Sequence, residues 1–144
     1  GVPRDLDLLF DVRFLPNPHF VAELRPLTGL DEPVAAFLES QPEVGETVDR
    51  LMDLLTFLVP RYEREGKSYV TIGIGCTGGR HRSVYVADLI QRRLAEGGFN
   101  VRADHRDGAP GIGVEDIVRL IDVRCVRKPP EISVLVGSLK FCSQ

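Results

Sequence analysis

The sequence predicts an α/β fold: a single compact domain with a largely parallel sheet and flanking helices. Three observations carry this reading. A long segment, Glu43 to Glu65, places Val44, Val48, Leu51, Leu55, Leu58 and Tyr62 at three- and four-residue steps, the spacing of one helical face. Ser68 to Gly75 follows as a β-branched, nearly unbroken apolar run, as expected of a strand covered on both faces. A glycine-rich turn and a second amphipathic segment come next, so strands and helices alternate.

In chain order, Leu6 to Phe14 reads as a strand, and Pro16-Asn17-Pro18 stops it because proline has no amide hydrogen for a ladder. Gly29-Leu30-Asp31-Glu32-Pro33 reads as a helix entrance, with an acidic cap before a proline at the first turn, and the helix runs to about Ser40. Pro60 is expected to kink the long helix or to start its last turn, and Gly66 to end it. Ser83 is the expected cap of a helix to Glu96, stopped by Gly97-Gly98, and Phe99 to Ala103 forms a short strand. Gly108 to Gly113 reads as a linker, Val114 to about Arg127 as a helix and Ile132 to Val136 as a last strand.

The chain has 144 residues, 43% hydrophobic and 27% charged, enough to bury a core without disulfides or a metal. Cys76, Cys125 and Cys142 are odd in number and lack C-x-x-C spacing, so neither a disulfide framework nor a cysteine zinc site is expected. No apolar run approaches membrane-span length, and the first residues lack a secretory pattern, so the expected location is cytoplasmic and no membrane partner is expected. A net charge of −3 excludes a wholly basic surface, so nucleic-acid binding would need a local patch.

The chemistry concentrates in Gly75-Cys76-Thr77-Gly78-Gly79-Arg80-His81-Arg82-Ser83. At a strand-to-helix turn the first helical amides lack internal partners and the helix dipole is positive, so an anion fits. Gly78 and Gly79 let a phosphate approach the backbone, Thr77 and Ser83 offer hydroxyls, and Arg82 offers a planar fork. Arg80 and His81 add positive character. Paired glycines also serve tight turns that hold nothing, and the turn lacks the lysine of a nucleotide-binding P-loop; no cofactor is expected. The same letters match the C-x5-R-[ST] signature of cysteine phosphatases, with Cys76 as nucleophile and Arg82 on the phosphoryl group. Against that reading, Gly75 stands where those enzymes place a histidine, and no acid loop is identifiable.

A second contributor is Asp11-Val12-Arg13-Phe14-Leu15-Pro16-Asn17-Pro18-His19, which leaves a strand end where ligands of open α/β sheets gather. Asp11, Arg13, Asn17 and His19 could bond a hydroxylated molecule whose phosphate sits in the glycine turn; alternatively Asp11 and Arg13 pair internally as a loop staple.

Together with Leu24-Arg25-Pro26-Leu27-Thr28-Gly29 and Pro33-Val34-Ala35-Ala36-Phe37-Leu38, these two segments resemble the C-terminal domain of the RapZ family of bacterial RNase adapter proteins, from Gly1 to about Asp107. The resemblance implies a non-enzymatic domain that senses glucosamine-6-phosphate and binds a small RNA for processing by RNase E. By motif, His19, Thr77, Gly78 and Arg82 would form the sugar-phosphate site, with Gly79, Asp11, Asn17 and Cys76 beside them. The expected partners are therefore an amino-sugar phosphate, a small RNA with RNase E, and further copies of the chain.

Three departures from the family pattern stand out. The residues from Gly1 onward match nothing of the family's N-terminal nucleotide-binding domain, so no ATP- or GTP-binding role is expected of them. Ile132 to Phe141 resembles the strand that family members place just before the segment matching Gly1-Val2-Pro3, which suggests a circular permutation through residues 108–130. The basic tail expected after His105-Arg106 is replaced by Asp107-Gly108-Ala109-Pro110. An RNA patch would then rest on Arg92, Arg93, Arg102 and Arg106, which could equally form a solvated helix face.

Overall fold

A computed structural model describes residues 6–104 and 117–124. The elements are β1 (Leu8–Asp11), a 3-10 turn at Pro18–Phe20, α1 (Glu32–Glu39), α2 (Pro42–Arg64), β2 (Tyr69–Cys76), α3 (Arg82–Glu96), β3 (Asn100–Asp104) and β4 (Ile117–Arg124). The α/β class expected from the sequence is the one observed. The four strands lie in the order β1-β2-β4-β3. β1 pairs parallel with β2, Leu8 opposite Ile72 and Asp11 opposite Gly75. β4 runs antiparallel to both β2 and β3, with Val123 opposite Val70 and Val101. Three of the four strands therefore point the same way, and β4 is the exception.

β4 corrects the reading of Val114 to Arg127 as a helix. Ile117, Leu120 and Val123 recur at helical steps, but Ile117-Val118-Arg119-Leu120-Ile121-Asp122-Val123 is dominated by β-branched residues, which lose side-chain freedom in a helix. The slot between β2 and β3 offers hydrogen-bonding partners on both sides, and that tertiary gain decides the conformation. The strand expected at Ile132 to Val136 and the rest of Ile132 to Phe141 lie outside the described residues, as does the stretch 108–130 invoked for a permutation except for β4 itself.

The core forms where alternate residues of β2, Val70, Ile72, Ile74 and Cys76, meet helix residues such as Ile90, Leu94 and Leu55. α3 packs on β2, β3 and β4, and α2 packs on α3 and β2. Burial of a leucine-sized side chain contributes about 1.5–3 kcal/mol, so this seam is the main source of stability. α2 continues through Pro60, whose missing N–H removes one helical bond; one turn earlier, the carbonyl of Phe57 accepts from Arg61 Nη1 at 2.7 Å.

Two expected caps are realised differently. Asp31 occupies the N-cap of α1 without bonding its amides; its carboxylate instead accepts from the Thr28 N–H at 2.7 Å and the Thr28 hydroxyl at 3.2 Å. α3 begins two residues earlier than expected, at Arg82, with His81 rather than Ser83 at its N-cap. Ser83 is buried inside the first turn, where its hydroxyl meets the Cys76 thiol.

The first six residues of α3, Arg82 to Ala87, are all buried. The segment from Leu24 to Gly29 crosses their start so closely that the Gly29 N–H bonds the Arg80 carbonyl at 2.9 Å. A Cβ on Gly29 would lie 2.6 Å from the Tyr85 nitrogen and clash with the His81 carbonyl oxygen, both rigid backbone atoms. Gly29→Ala is expected to destabilise the domain by about 2–3 kcal/mol, the upper range for overpacking, measured as a lowered urea midpoint with unchanged slope. A midpoint equal to that of the parent chain would refute this account of the crossing.

Candidate functional site

The turn between β2 and α3 leaves the strand at Cys76 and passes Gly78 at φ 76° and Gly79 at φ 55°, left-handed conformations that favour glycine. These two residues reverse the chain sharply enough to bring Thr77 and Gly78 outward while His81, Arg82 and Ser83 turn inward. The inward group is laced to the loop after β1 and to the 24–29 segment by side-chain bonds to backbone carbonyls. Arg82, 4% exposed, donates through Nη1 to the carbonyls of Arg13 and, at 3.0 Å, Leu15. His81, 6% exposed, donates through Nε2 to the Leu24 carbonyl at 3.1 Å. Arg80 Nη2 donates to the Pro26 carbonyl at 2.8 Å.

Between these loops lies a cavity of about 350 Å³ lined by Asn17, His19, Arg25, Thr77, Gly78, Arg80 and His81. This volume suits a small polar molecule. Among the described residues no carboxylate lines it and two guanidinium groups do, so the cavity has an anion-attracting character. The Asn17 side-chain oxygen accepts from the His19 N–H at 3.1 Å, which caps the 3-10 turn and sets the position of the His19 ring. Arg25 Nε donates to the His19 carbonyl at 3.0 Å and holds the same turn from the other side. The His19 and His81 rings stand 6.5 Å apart between centroids.

Of the residues proposed from sequence, Asn17, His19, Thr77 and Gly78 meet at this cavity. Asp11, Cys76, Gly79 and Arg82 do not line it. Asp11 accepts from the Arg13 N–H at 2.9 Å and from Arg13 Nε at 2.8 Å, the loop staple weighed as the alternative. The Arg13 guanidinium holds the Asp11 carboxyl below its usual range, mainly through that side-chain bond. Arg82 stands behind the turn, with its fork directed at the loop after β1. The Ser83 N–H, an early helical amide expected to face an anion, donates instead to Cys76 Sγ at 3.3 Å. Cys76 is buried, and its thiol donates to the Ser83 hydroxyl at 3.2 Å, so the sulfur belongs to the floor of the turn.

Arg25 was not singled out from the sequence, and Arg80 and His81 entered only as general positive character. A signal for Arg25 was present, since it lies in the Leu24-Arg25-Pro26-Leu27-Thr28-Gly29 segment, but periodicity gives no hint that this loop folds over the glycine turn. Among the candidate RNA contacts, Arg92 pairs with Asp88 and Arg93 with Asp49 on the surface. Arg102 lies on β3, and Arg106 is outside the described residues. No group of three or more metal-ligating side chains occurs among the described residues, and no described helix is long and apolar enough to cross a membrane.

The chain is thus an α/β domain with a cationic cavity at two adjoining strand ends. Residues 1–109 match the model of the RapZ C-terminal domain, and the chain belongs to that family. It is 57% identical over 107 residues to a nucleotide-binding protein of Koribacter versatilis, covering 74% of this chain and 35% of that protein. It is 55% identical over 107 residues to one from Shewanella sp. strain ANA-3, covering 74% and 38%, and 52% identical over 111 residues to one from Geobacter sulfurreducens, covering 77% and 39%. The chain thus spans between about a third and two fifths of the length of these relatives.

His81 makes the site sensitive to acid. Burial, reinforced by the nearby Arg80 and His19 charges, pushes its pKa below the ordinary 6.5, while the carbonyls of Leu24 and Leu27 oppose that shift. A depressed folded-state pKa means that the unfolded chain takes up the proton first. The stability is therefore present above pH 6.5 and is lost as pH falls from there through the folded value. The urea midpoint is expected to drop between pH 7.5 and 5.5, and His81→Gln, which keeps an amide donor for the Leu24 carbonyl, should flatten that drop. An equal drop in both proteins would exclude His81 as its source.

Proposed function

We propose that this domain senses an amino-sugar phosphate, with glucosamine-6-phosphate as the leading candidate, and that it serves as an adapter through which the ligand regulates processing of a small RNA by RNase E. The observation that carries the ligand half of this reading is the cavity itself, where Thr77 and Gly78 face His19 and Asn17 beneath two arginines and no carboxylate. A phosphate placed against Thr77 and Gly78 would meet the Thr77 hydroxyl and the Arg80 guanidinium, with charge-assisted bonds worth roughly twice neutral ones. Asn17 and His19 would then face the sugar hydroxyls. Arg82 acts at one remove: by fixing the carbonyls of Arg13 and Leu15 it sets the Asn17–His19 loop against the turn, and its buried charge adds to the local positive potential.

Family membership supports the adapter half of the proposal. An RNA contact through Arg92, Arg93, Arg102 and Arg106 and a cytoplasmic location remain part of the same reading. The ion pairs of Arg92 and Arg93 are exposed and cheap to open. The nucleotide-binding names of the relatives belong to proteins much longer than this chain, and no nucleotide role is proposed for it.

The phosphatase reading is disfavoured by the Cys76 geometry, since a nucleophile must reach phosphorus and this sulfur is buried against Ser83. Calorimetry with glucosamine-6-phosphate and with unphosphorylated glucosamine tests the proposal. Binding of the phosphorylated sugar alone is expected, and equal weak heats from both would overturn it. Arg80→Ala is expected to weaken that binding by about 1.5–3 kcal/mol, the worth of a bond to a charged group. Arg82→Ala should weaken it to a similar degree and lower the urea midpoint more than Arg80→Ala does, because Arg82 is buried and Arg80 is exposed. Cys76→Ser should leave affinity within about threefold, less than one ordinary hydrogen bond. Aryl-phosphate hydrolysis that Cys76→Ser abolishes would restore the enzymatic alternative.

A further inference from the structure

His81 differs from the other residues of the cavity wall. It is 6% exposed and still lines the cavity, so an anion held there would share a wall with a nearly buried titratable ring. Its Nε2 stands 3.1 Å from the Leu24 carbonyl. A neutral imidazole has a single N–H, and that carbonyl takes it. The Leu27 carbonyl also favours a charged ring, so the peptide groups of the 24–29 segment suit an imidazolium. Burial and neighbouring positive charge oppose that form.

The groups around the ring come from each segment that meets it. Arg80 belongs to its own turn, and the His19 ring stands 6.5 Å away on the 3-10 turn; both act against a further positive charge. Arg25, from the 24–29 segment, lines the same cavity. On α3, the Tyr85 N–H bonds the His81 carbonyl at 3.0 Å, and burial pushes the Tyr85 hydroxyl above its ordinary range, so it stays neutral. The carboxylates of the neighbouring segments are engaged elsewhere, Asp31 with Thr28 and Asp11 with Arg13. Among the described residues no carboxylate lines the cavity, and the counter-charge for an imidazolium is left to a ligand.

Granting the anion-binding reading of the cavity, we propose that it takes up a proton together with its anion and that His81 receives that proton. A negative charge within about 4–6 Å favours the charged form of a histidine. The ring is neutral without the anion and charged with it. Linkage then fixes the direction of the pH effect. The pKa of the anion-bound form lies above that of the free form, which is itself below 6.5, so affinity rises as pH falls through these two values and is constant above and below them. The charged ring also bonds the Leu24 carbonyl more strongly, because charge-assisted bonds are the stronger ones. Occupancy thus tightens the hold of the glycine turn on the segment that carries Arg25, and the domain responds to ligand and proton jointly.

Sulfate is the probe that tests this, because it stays a dianion where a phosphate ester gains a proton of its own, near about pH 6. Calorimetry of sulfate binding to the 144-residue chain, in two buffers of different ionisation enthalpy, counts the protons exchanged. Net uptake is expected, with affinity on the order of tenfold higher at about pH 5.5 than at about pH 7.5. His81→Gln should abolish the uptake, and His19→Gln, which weakens binding, should retain it. Ring resonances of the three histidines, followed across pH with and without saturating sulfate, give a readout in the parent chain that needs no variant to fold. The His81 titration should move to higher pH in sulfate. Sulfate binding without proton uptake, or an uptake that His81→Gln leaves intact, overturns this inference and leaves the anion site standing. Sulfate that binds at neither pH overturns it as well, and the sugar-phosphate titration above then decides the anion reading separately.

Discussion

A buried guanidinium whose hydrogen bonds run to backbone carbonyls organises this domain. Arg82 is almost wholly removed from solvent, and the bonds that compensate its charge run to the carbonyls of Arg13 and Leu15. Taking an ion out of water costs several kcal/mol unless its polar groups are satisfied. The loop after β1 therefore adopts the path that presents those carbonyls. His81 and Arg80 repeat the device toward Leu24 and Pro26. Three consecutive side chains of one turn thus determine where two otherwise irregular segments lie.

That arrangement separates positioning from recognition. The residues that line the cavity are half or fully exposed, apart from His81, and Arg82, which holds the loop after β1 against the turn, is hidden. Backbone carbonyls are fixed dipoles that do not titrate, so the lacing is indifferent to most changes in pH. His81 is the titratable member, and its burial keeps it neutral under ordinary conditions. The cavity's positive character then rests on the guanidinium groups of Arg25 and Arg80.

Much of the fold was legible because its signals are local. The boundaries of α2 fall within one residue of those read from apolar spacing, and β2 and α3 follow nearly as well. β4 was misread because its eight residues satisfy both a helical and a strand pattern, and only the vacant place between β2 and β3 decides between them. The site was legible in composition and less so in geometry. Glycines, a threonine and a histidine of the right kind are visible in the sequence, and Asn17, His19, Thr77 and Gly78 do converge. Whether an arginine faces outward, like Arg80, or inward, like Arg82, depends on which carbonyls other segments bring near it, and two residues of separation in the sequence carry no sign of that difference.

The place of β4 bears on how the chain is made. β2 and β3 are joined through α3 but pair with β4 and not with each other. A chain emerging from the ribosome therefore completes both of these strands, and the helix that covers them, before the segment that joins them exists. Until Arg124 has emerged, β2 is paired only with β1 and β3 has no strand beside it. Such unpaired edges are prone to mispairing. The late arrival of a central strand makes the last part of the sheet the slowest to form. The nascent chain thus passes through a state in which the loops that border the cavity are already synthesised while the sheet that carries them is still open.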